Sequence, residues 1–194
     1  MSRRFAEHGL TLRVPNLNVP SFEKITLTAQ IARVAEEITA LPEGDVCLVG
    51  SSMGAAVALH TANSTEVGKR VSKIMLLAPA FDFVDNRRQQ FGEIGLETWR
   101  TNGTYPFMHY AYGEEKQVHY GLIEDILKYD TNAVRLNIPI LIIHGLRDTV
   151  VSHTQSERYA AQHPNVTLRL VDAEHQLSDQ LDFIWAEAQA FFGL

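Results

Sequence analysis

Apolar runs of strand length, alternating with segments of helical period, leave this chain few folds to choose from. "DVCLV" (45–49), "KIMLL" (73–77) and "PILII" (139–143) are near-continuous in Val, Ile and Leu. A strand with one wet face alternates apolar and polar residues. A run without that alternation needs cover on both faces, as in a parallel sheet. "LTLRV" (10–14) and "VTLRL" (166–170) bring the expected strands to five. Between the first two, "LTAQIARVAEEITAL" (27–41) sets Ile31, Val34, Ile38 and Leu41 at helical spacing, and Pro42 and Gly44 stop it. Helices are also expected over 53–62, 152–163 and 180–192. Strand alternating with helix reads as successive βαβ units with right-handed crossovers, so the expected class is α/β with a mostly parallel sheet.

One interval breaks the rhythm. Residues 81–129 contain no convincing strand, yet ten of the seventeen aromatic residues fall there. A structureless loop of that length is unusual in a compact domain, so a mostly helical insertion is expected within a single domain spanning 1–194. Such an insertion lies over the crevice where parallel sheets bind ligands. Trp99, Tyr105, Phe107, Met108, Tyr110 and Tyr112 are therefore candidates to line a substrate pocket, or else they glue the insertion to the body.

Composition narrows the partners. A formal charge of −6 offers no basic footprint for nucleic acid or an anionic membrane. No apolar run reaches the ~18–20 residues that span a bilayer. The start, "MSRRFAEHGL", has two arginines but no apolar stretch or cleavage site of a secretory signal. The single Cys47 cannot form an intramolecular disulfide and suits a reducing compartment, so a cytoplasmic location is expected. Its place inside an apolar strand reads as an inert core thiol.

Chemistry concentrates in "VGSSMGAAVALH" (49–60). Gly50-Ser51-Ser52-Met53-Gly54 matches G-x-S-x-G, between an expected strand and an expected helix, which is the context that pattern requires. There a serine occupies a strained turn that lifts its hydroxyl clear of the sheet, and register selects Ser52. A serine hydroxyl at neutral pH is a poor nucleophile and needs a general base, itself oriented by an acid. "HGLRDTVV" (144–151) places Asp148 just past the fourth strand, and "DAEHQL" (172–177) places His175 just past the fifth. Loops at the C-terminal ends of parallel strands converge on one crevice. Asp82 and Asp85, past the third strand, are rival acids. Asp172 and Glu174 sit too close to His175 to orient it easily. His60, His109, His119 and His144 are less well placed, and no histidine pair has the carboxylate companion of a metal site.

With "GSSMG" (50–54), "HGLRD" (144–148) and "AEH" (173–175), the chain resembles the α/β-hydrolase superfamily, within it the small bacterial serine esterases and lysophospholipase-like hydrolases. The resemblance runs from residue 10 onward. It implies a three-layer α/β-hydrolase fold with the insertion at about 81–129 as a lid. It also implies Ser52 as nucleophile, Asp148 as acid, His175 as base and the Met53 N–H as an oxyanion-hole donor, with no cofactor. A helix N-terminus points free N–H groups at developing negative charge, so the last role has a physical basis as well.

The N-terminus departs from that family. Its members open with an apolar strand ending in a His-Gly loop that supplies the second oxyanion donor. His8-Gly9 instead follows the helical "RRFAE" and leads into "LTLRV". Roughly 20 further residues upstream would supply the strand by family analogy, since its absence leaves buried backbone groups unpaired. "LTLRV" is expected either to stand apart from "DVCLV" or to slide in and pair with it. Two function classes follow: a serine hydrolase of small-molecule carboxylic esters or thioesters, or a non-catalytic relative that binds a ligand or a partner. The intact Ser/Asp/His set favours the first, and the missing loop favours the second.

Overall fold

The computed structural model describes residues 2–9, 12–109 and 113–194. Four strands, β1 (Val46–Ser51), β2 (Val71–Leu77), β5 (Ile140–Gly145) and β6 (Val166–Val171), form one sheet in the order β1-β2-β5-β6. Every neighbouring pair in it is parallel, with Leu48 opposite Ile74, Leu76 opposite Ile142, and Ile142 opposite Leu168. The class is α/β, as the unalternating apolar runs require.

Both faces of the central strands are covered. Ile74, Leu76, Ile140 and Ile142 pack beneath α2 (Leu27–Thr39), α3 (Met53–Ser64) and α6 (Thr154–Ala161), through Ile38, Ala55, Leu59 and Tyr159. Met75, Leu141 and Ile143 face the other way, against Ile184 and Ala188 of α7 (Leu181–Phe192). On that side α1 (Ser2–Glu7) sets the Phe5 ring edge-on to Trp185, centroids 5.1 Å apart. Helices, sheet and helices make three layers. The helices expected at 27–41, 53–62, 152–163 and 180–192 fall within a few residues of those observed.

Three expectations require correction. Residues 12–14 of "LTLRV" form no strand; the segment runs beside α2, where Gln30 Nε2 donates to the Leu17 carbonyl and Arg13 lies 4.0 Å from Glu37. Leu10 and Thr11 lie outside the described residues. Alternation of Leu, Arg and Val suits a strand only where a neighbour supplies ladder partners, and Val14, 76% exposed, has none to pack on. Second, Cys47 is exposed. Val46 and Leu48 pack into the core beneath α3, but α7 covers only the middle strands, leaving the Cys47 and Val49 side of β1 open.

Third, the insertion, though mostly helical, is not free of strands. After α4 (Phe83–Asn102) the chain forms an antiparallel hairpin, β3 (Thr104–His109) with β4 (Glu114–His119), and then α5 (Gly121–Ile126). "EEKQVH" carries no apolar alternation to announce a strand. In a two-stranded ribbon both strands are edges, so Pro106 opposite Gln117 costs little and polar residues are tolerated. The pairing is held from one side by aromatic packing. Phe91, Trp99, Tyr105 and Phe107 cluster with centroids 4.6–6.5 Å apart, and the Trp99 indole N–H donates to the Val118 carbonyl at 2.8 Å.

Candidate active site

The turn between β1 and α3 is strained where the sequence pattern places its serine. Ser52 has φ 51° and ψ −120°, in a region that side-chain-bearing residues rarely occupy. The surroundings over-determine it: Ser52 N–H donates to Leu77 O at 2.9 Å, and Ser52 O accepts from Ala55 and Ala80 N–H. Gly50 is dictated by contact, because a Cβ there would lie 2.8 Å from Ala55 Cα and closer still to Gly54 O. Gly54 is different, since a Cβ on it would meet nothing within 4 Å. Besides Ser52, only Ala78 and Leu177 among the described non-glycine residues have positive φ. Ala78 directly follows β2 and Leu177 lies two residues past His175, so all three mark this end of the sheet.

Two other strand ends deliver the partners. Asp148 stands past β5 and His175 past β6, and the two loops are zipped together: Leu146 N–H donates to Val171 O, and Arg147 N–H to Ala173 O. This close approach requires Gly145, where a Cβ would sit 2.8 Å from Ala173 C, 2.9 Å from Glu174 O and closer still to Ala173 O. His175 Nε2 lies 3.1 Å from Ser52 Oγ, and His175 Nδ1 lies 2.7 Å from Asp148 Oδ2. The carboxylate therefore accepts a hydrogen bond from Nδ1–H of a neutral ring and leaves Nε2 free to accept from the serine.

The Asp148 side chain is completely buried and both its oxygens are used. Oδ1 accepts the Val150 and Val151 N–H groups at 2.9 and 2.8 Å. Oδ2 accepts from His175 and also from His144 Nε2, 3.1 Å away. Burial by itself would raise the pKa of this carboxyl. The hydrogen bonds from His144, His175 and Val151 outweigh it and hold the group well below the usual carboxylate range. Sequence reasoning passed over His144, although its spacing of four from Asp148 and its place at a strand end could have raised it.

The rival acids are occupied elsewhere. Asp82 accepts from Asn132 and Arg158, and Asp85 pairs with Arg88. Asp172 pairs with Arg147. Met53 is the first residue of α3, so its N–H has no partner within the helix and sits beside Ser52.

The expected aromatic pocket lining is corrected. Trp99 is fully buried in a cluster shared by the insertion and the body, with Tyr105 and Phe107 packed around it, and Met108 is half-exposed. Tyr110 and Tyr112 lie outside the described residues. None of the other four lines the cavity of about 310 Å³ that opens beside Met53 and Ala80. That cavity is walled by Leu27, Ala56, Phe83, Val84, Ile126 and Tyr129, with Asp85, Arg88 and Asp130 among its polar residues. These aromatic side chains instead pack the insertion against the body, in one cluster with Leu27 and Ile31 of α2 and Ala56 and Val57 of α3.

The uncharacterised protein family UPF0227 matches residues 1–192 of this sequence. The chain belongs to that family. The fold of this UPF0227 protein is that of the α/β hydrolases. It is 26% identical over 173 residues to the mitochondrial palmitoyl-protein thioesterase ABHD10 of Bos taurus, covering 84% of this chain. The chain spans 54% of that relative's length. Among solved structures, mouse α/β hydrolase domain-containing protein 10 superposes with a TM-score of 0.71 at 18% identity, covering 87% of this chain and 70% of the other. Est1E from Butyrivibrio proteoclasticus gives a TM-score of 0.68 at 18% identity, covering 86% and 69%.

Proposed function

We propose that this UPF0227 member is a serine hydrolase of carboxylic esters or thioesters. The observation that carries the reading is the linear relay Ser52 Oγ, His175, Asp148, at 3.1 and 2.7 Å, starting from a serine in a strained turn. A binding module has no use for that strain or for a base aimed at the strained residue.

In the first half-reaction Ser52 Oγ attacks the acyl carbonyl carbon while His175 Nε2 takes the hydroxyl proton. The carbonyl oxygen becomes an oxyanion, and Met53 N–H at the start of α3 donates to it. Asp148 stabilises the imidazolium without taking its proton. As the tetrahedral intermediate collapses, His175 returns the proton to the departing alkoxide or thiolate, leaving an acyl group on Ser52. Water then repeats the sequence with the same base and releases the carboxylic acid. Each step draws on Ser52, His175, Asp148 and the N-terminus of α3.

The cavity beside Met53 is the candidate site for one side of the substrate, and at about 310 Å³ it is at the small end for ligand pockets. Thioesters stand beside esters in the reading because one relative is a thioesterase by name. The test is labelling with a fluorophosphonate probe, followed by hydrolysis of p-nitrophenyl esters and acyl thioesters. Wild-type protein should be labelled and turn over substrate, and Ser52→Ala should lose both. Turnover by Ser52→Ala equal to wild type would overturn the assignment.

A further inference from the structure

The carboxylate that faces His175 is shared with a second histidine, and the pattern of bonds around that histidine is one-directional. His144 is the fifth residue of β5 and completely buried. Its Nε2 faces two oxygens, Asp148 Oδ2 at 3.1 Å and Val151 O at 3.0 Å. Both can only accept, so Nε2 carries a proton. Its Nδ1 lies 2.7 Å from the buried Ser156 hydroxyl of α6, which can donate to it. The result is one continuous chain: Ser156 O–H to His144, His144 N–H to Asp148, and His175 N–H to the same Asp148 oxygen, with Ser52 O–H completing it.

We infer that His144 is a positioning residue, which fixes Asp148 Oδ2 in the orientation that His175 requires. The inference rests on the proposed hydrolase reading for its kinetic consequences, though not for its geometric ones. Oδ1 is held by two loop N–H groups, but without His144 the only donor to Oδ2 would be His175 itself, the ring that must be positioned. His144 supplies a reference that does not change partners during turnover, because it is anchored to β5, to the Val151 carbonyl and to α6. Val151 is bonded twice over, its N–H to Asp148 and its carbonyl to His144, so the loop cannot shift without breaking both.

A neutral N–H dipole aimed at Asp148 takes up part of the carboxylate's negative charge and leaves less for the imidazolium of His175. The titratable groups that meet this carboxylate are His144 from β5 and His175 from the loop after β6. Helix α6 contributes the neutral Ser156, and Arg147 turns outward to Asp172 and Asp179. Removing the His144 N–H therefore takes away the one donor that holds Oδ2 independently of His175 and loosens the aim of that ring.

The experiment compares His144→Leu, His144→Gln and Ser156→Ala with wild type. Gln places an amide N–H near the Nε2 position, and Leu removes the donor while keeping bulk. Turnover is counted per Ser52 titrated by fluorophosphonate, and the His175 midpoint is read by NMR. His144→Leu should lower kcat about 100-fold with KM nearly unchanged, the scale of a misaligned reacting group, and move the His175 midpoint away from the wild-type one. His144→Gln should restore kcat to within about 5-fold of wild type, and Ser156→Ala, which only frees Nδ1, should fall between them. A His144→Leu protein that melts earlier but keeps wild-type kcat per titrated serine and a wild-type His175 midpoint would overturn the inference, leaving His144 a core residue. If His144→Leu does not fold, an unchanged kcat and midpoint in Ser156→Ala overturns it equally. Should Ser52→Ala retain full activity, the hydrolase reading fails on its own, and the His175 midpoint still decides the role of His144.

Discussion

Replacing Gly145 by Ala isolates how closely the two loops of the site must approach. The added methyl would meet the backbone of Ala173 and Glu174, with Ala173 O nearest. Restoring ordinary van der Waals separation requires a retreat of about 1 Å by that carbonyl or by the end of β5. The obstruction is backbone, so no side-chain rotation relieves it. His175 lies two residues beyond Ala173, and its Nε2 is already 3.1 Å from Ser52 Oγ. A shift of that size takes the pair beyond hydrogen-bonding range, and a displacement near 1 Å at a reacting group costs on the order of 100-fold in rate. Overpacking of this kind also costs about 1–3 kcal/mol of stability. The assay is ester turnover per serine titrated by fluorophosphonate, with urea denaturation for stability and the NMR shifts of the His175 ring as a readout that needs no activity. Turnover within a few-fold of wild type, with unchanged His175 resonances, would refute the argument that this close approach aims the base.

Asp82→Asn should leave turnover within about 3-fold of wild type, since Asp82 is committed to Asn132 and Arg158 while Asp148 bonds His175; kcat/KM for an ester checks it. Trp99→Phe should cost about 1 kcal/mol of stability through the lost bond to Val118 O and leave KM unchanged, because Trp99 belongs to the core between the insertion and the body; urea midpoints and Michaelis curves decide. Asp148 has a carboxyl held below its unfolded value of ~3.9, so its stabilising contribution is complete above that value and is lost as pH falls through it toward the folded one. Urea midpoints measured from neutral pH down to about pH 3 should therefore fall more steeply for wild type than for Asp148→Asn, and equal slopes would count against the hydrogen-bonded carboxylate. Near neutrality the same variant should be less stable than wild type, since an amide offers one acceptor oxygen where four donors converge.

Legibility followed the range of the interactions. The runs "KIMLL" and "PILII" announced a sheet covered on both faces because burial of both faces acts on each residue of a strand, whatever its neighbours. The heptad-like spacing of Ile31, Val34 and Ile38 marked α2 for the same reason, and G-x-S-x-G marked Ser52 because a strained turn constrains the residues within it. "LTLRV" had strand-like alternation as well, but a strand exists only when another supplies its hydrogen bonds, and none lies beside residues 12–14. "EEKQVH" had no such alternation and still became β4, because Trp99, Tyr105 and Phe107 gave its partner strand something to rest on.

The site divides along the same line. The residue types, their order along the chain and their places at strand ends belong to the sequence. Which carboxylate faces His175, and how many donors that carboxylate holds, are settled by distances between loops that the sequence keeps far apart. Asp82 and Asp148 stand alike at strand ends on paper, and Arg158 and Asn132 claim the first while His175 and His144 claim the second. The destiny of the aromatic residues was decided in the same way: their number could be counted in advance, but whether they line a cavity or fill a core depends on which apolar surface reaches them first. Local burial and turn strain are written residue by residue, whereas hydrogen-bond partners across loops exist only once the sheet has set those loops side by side.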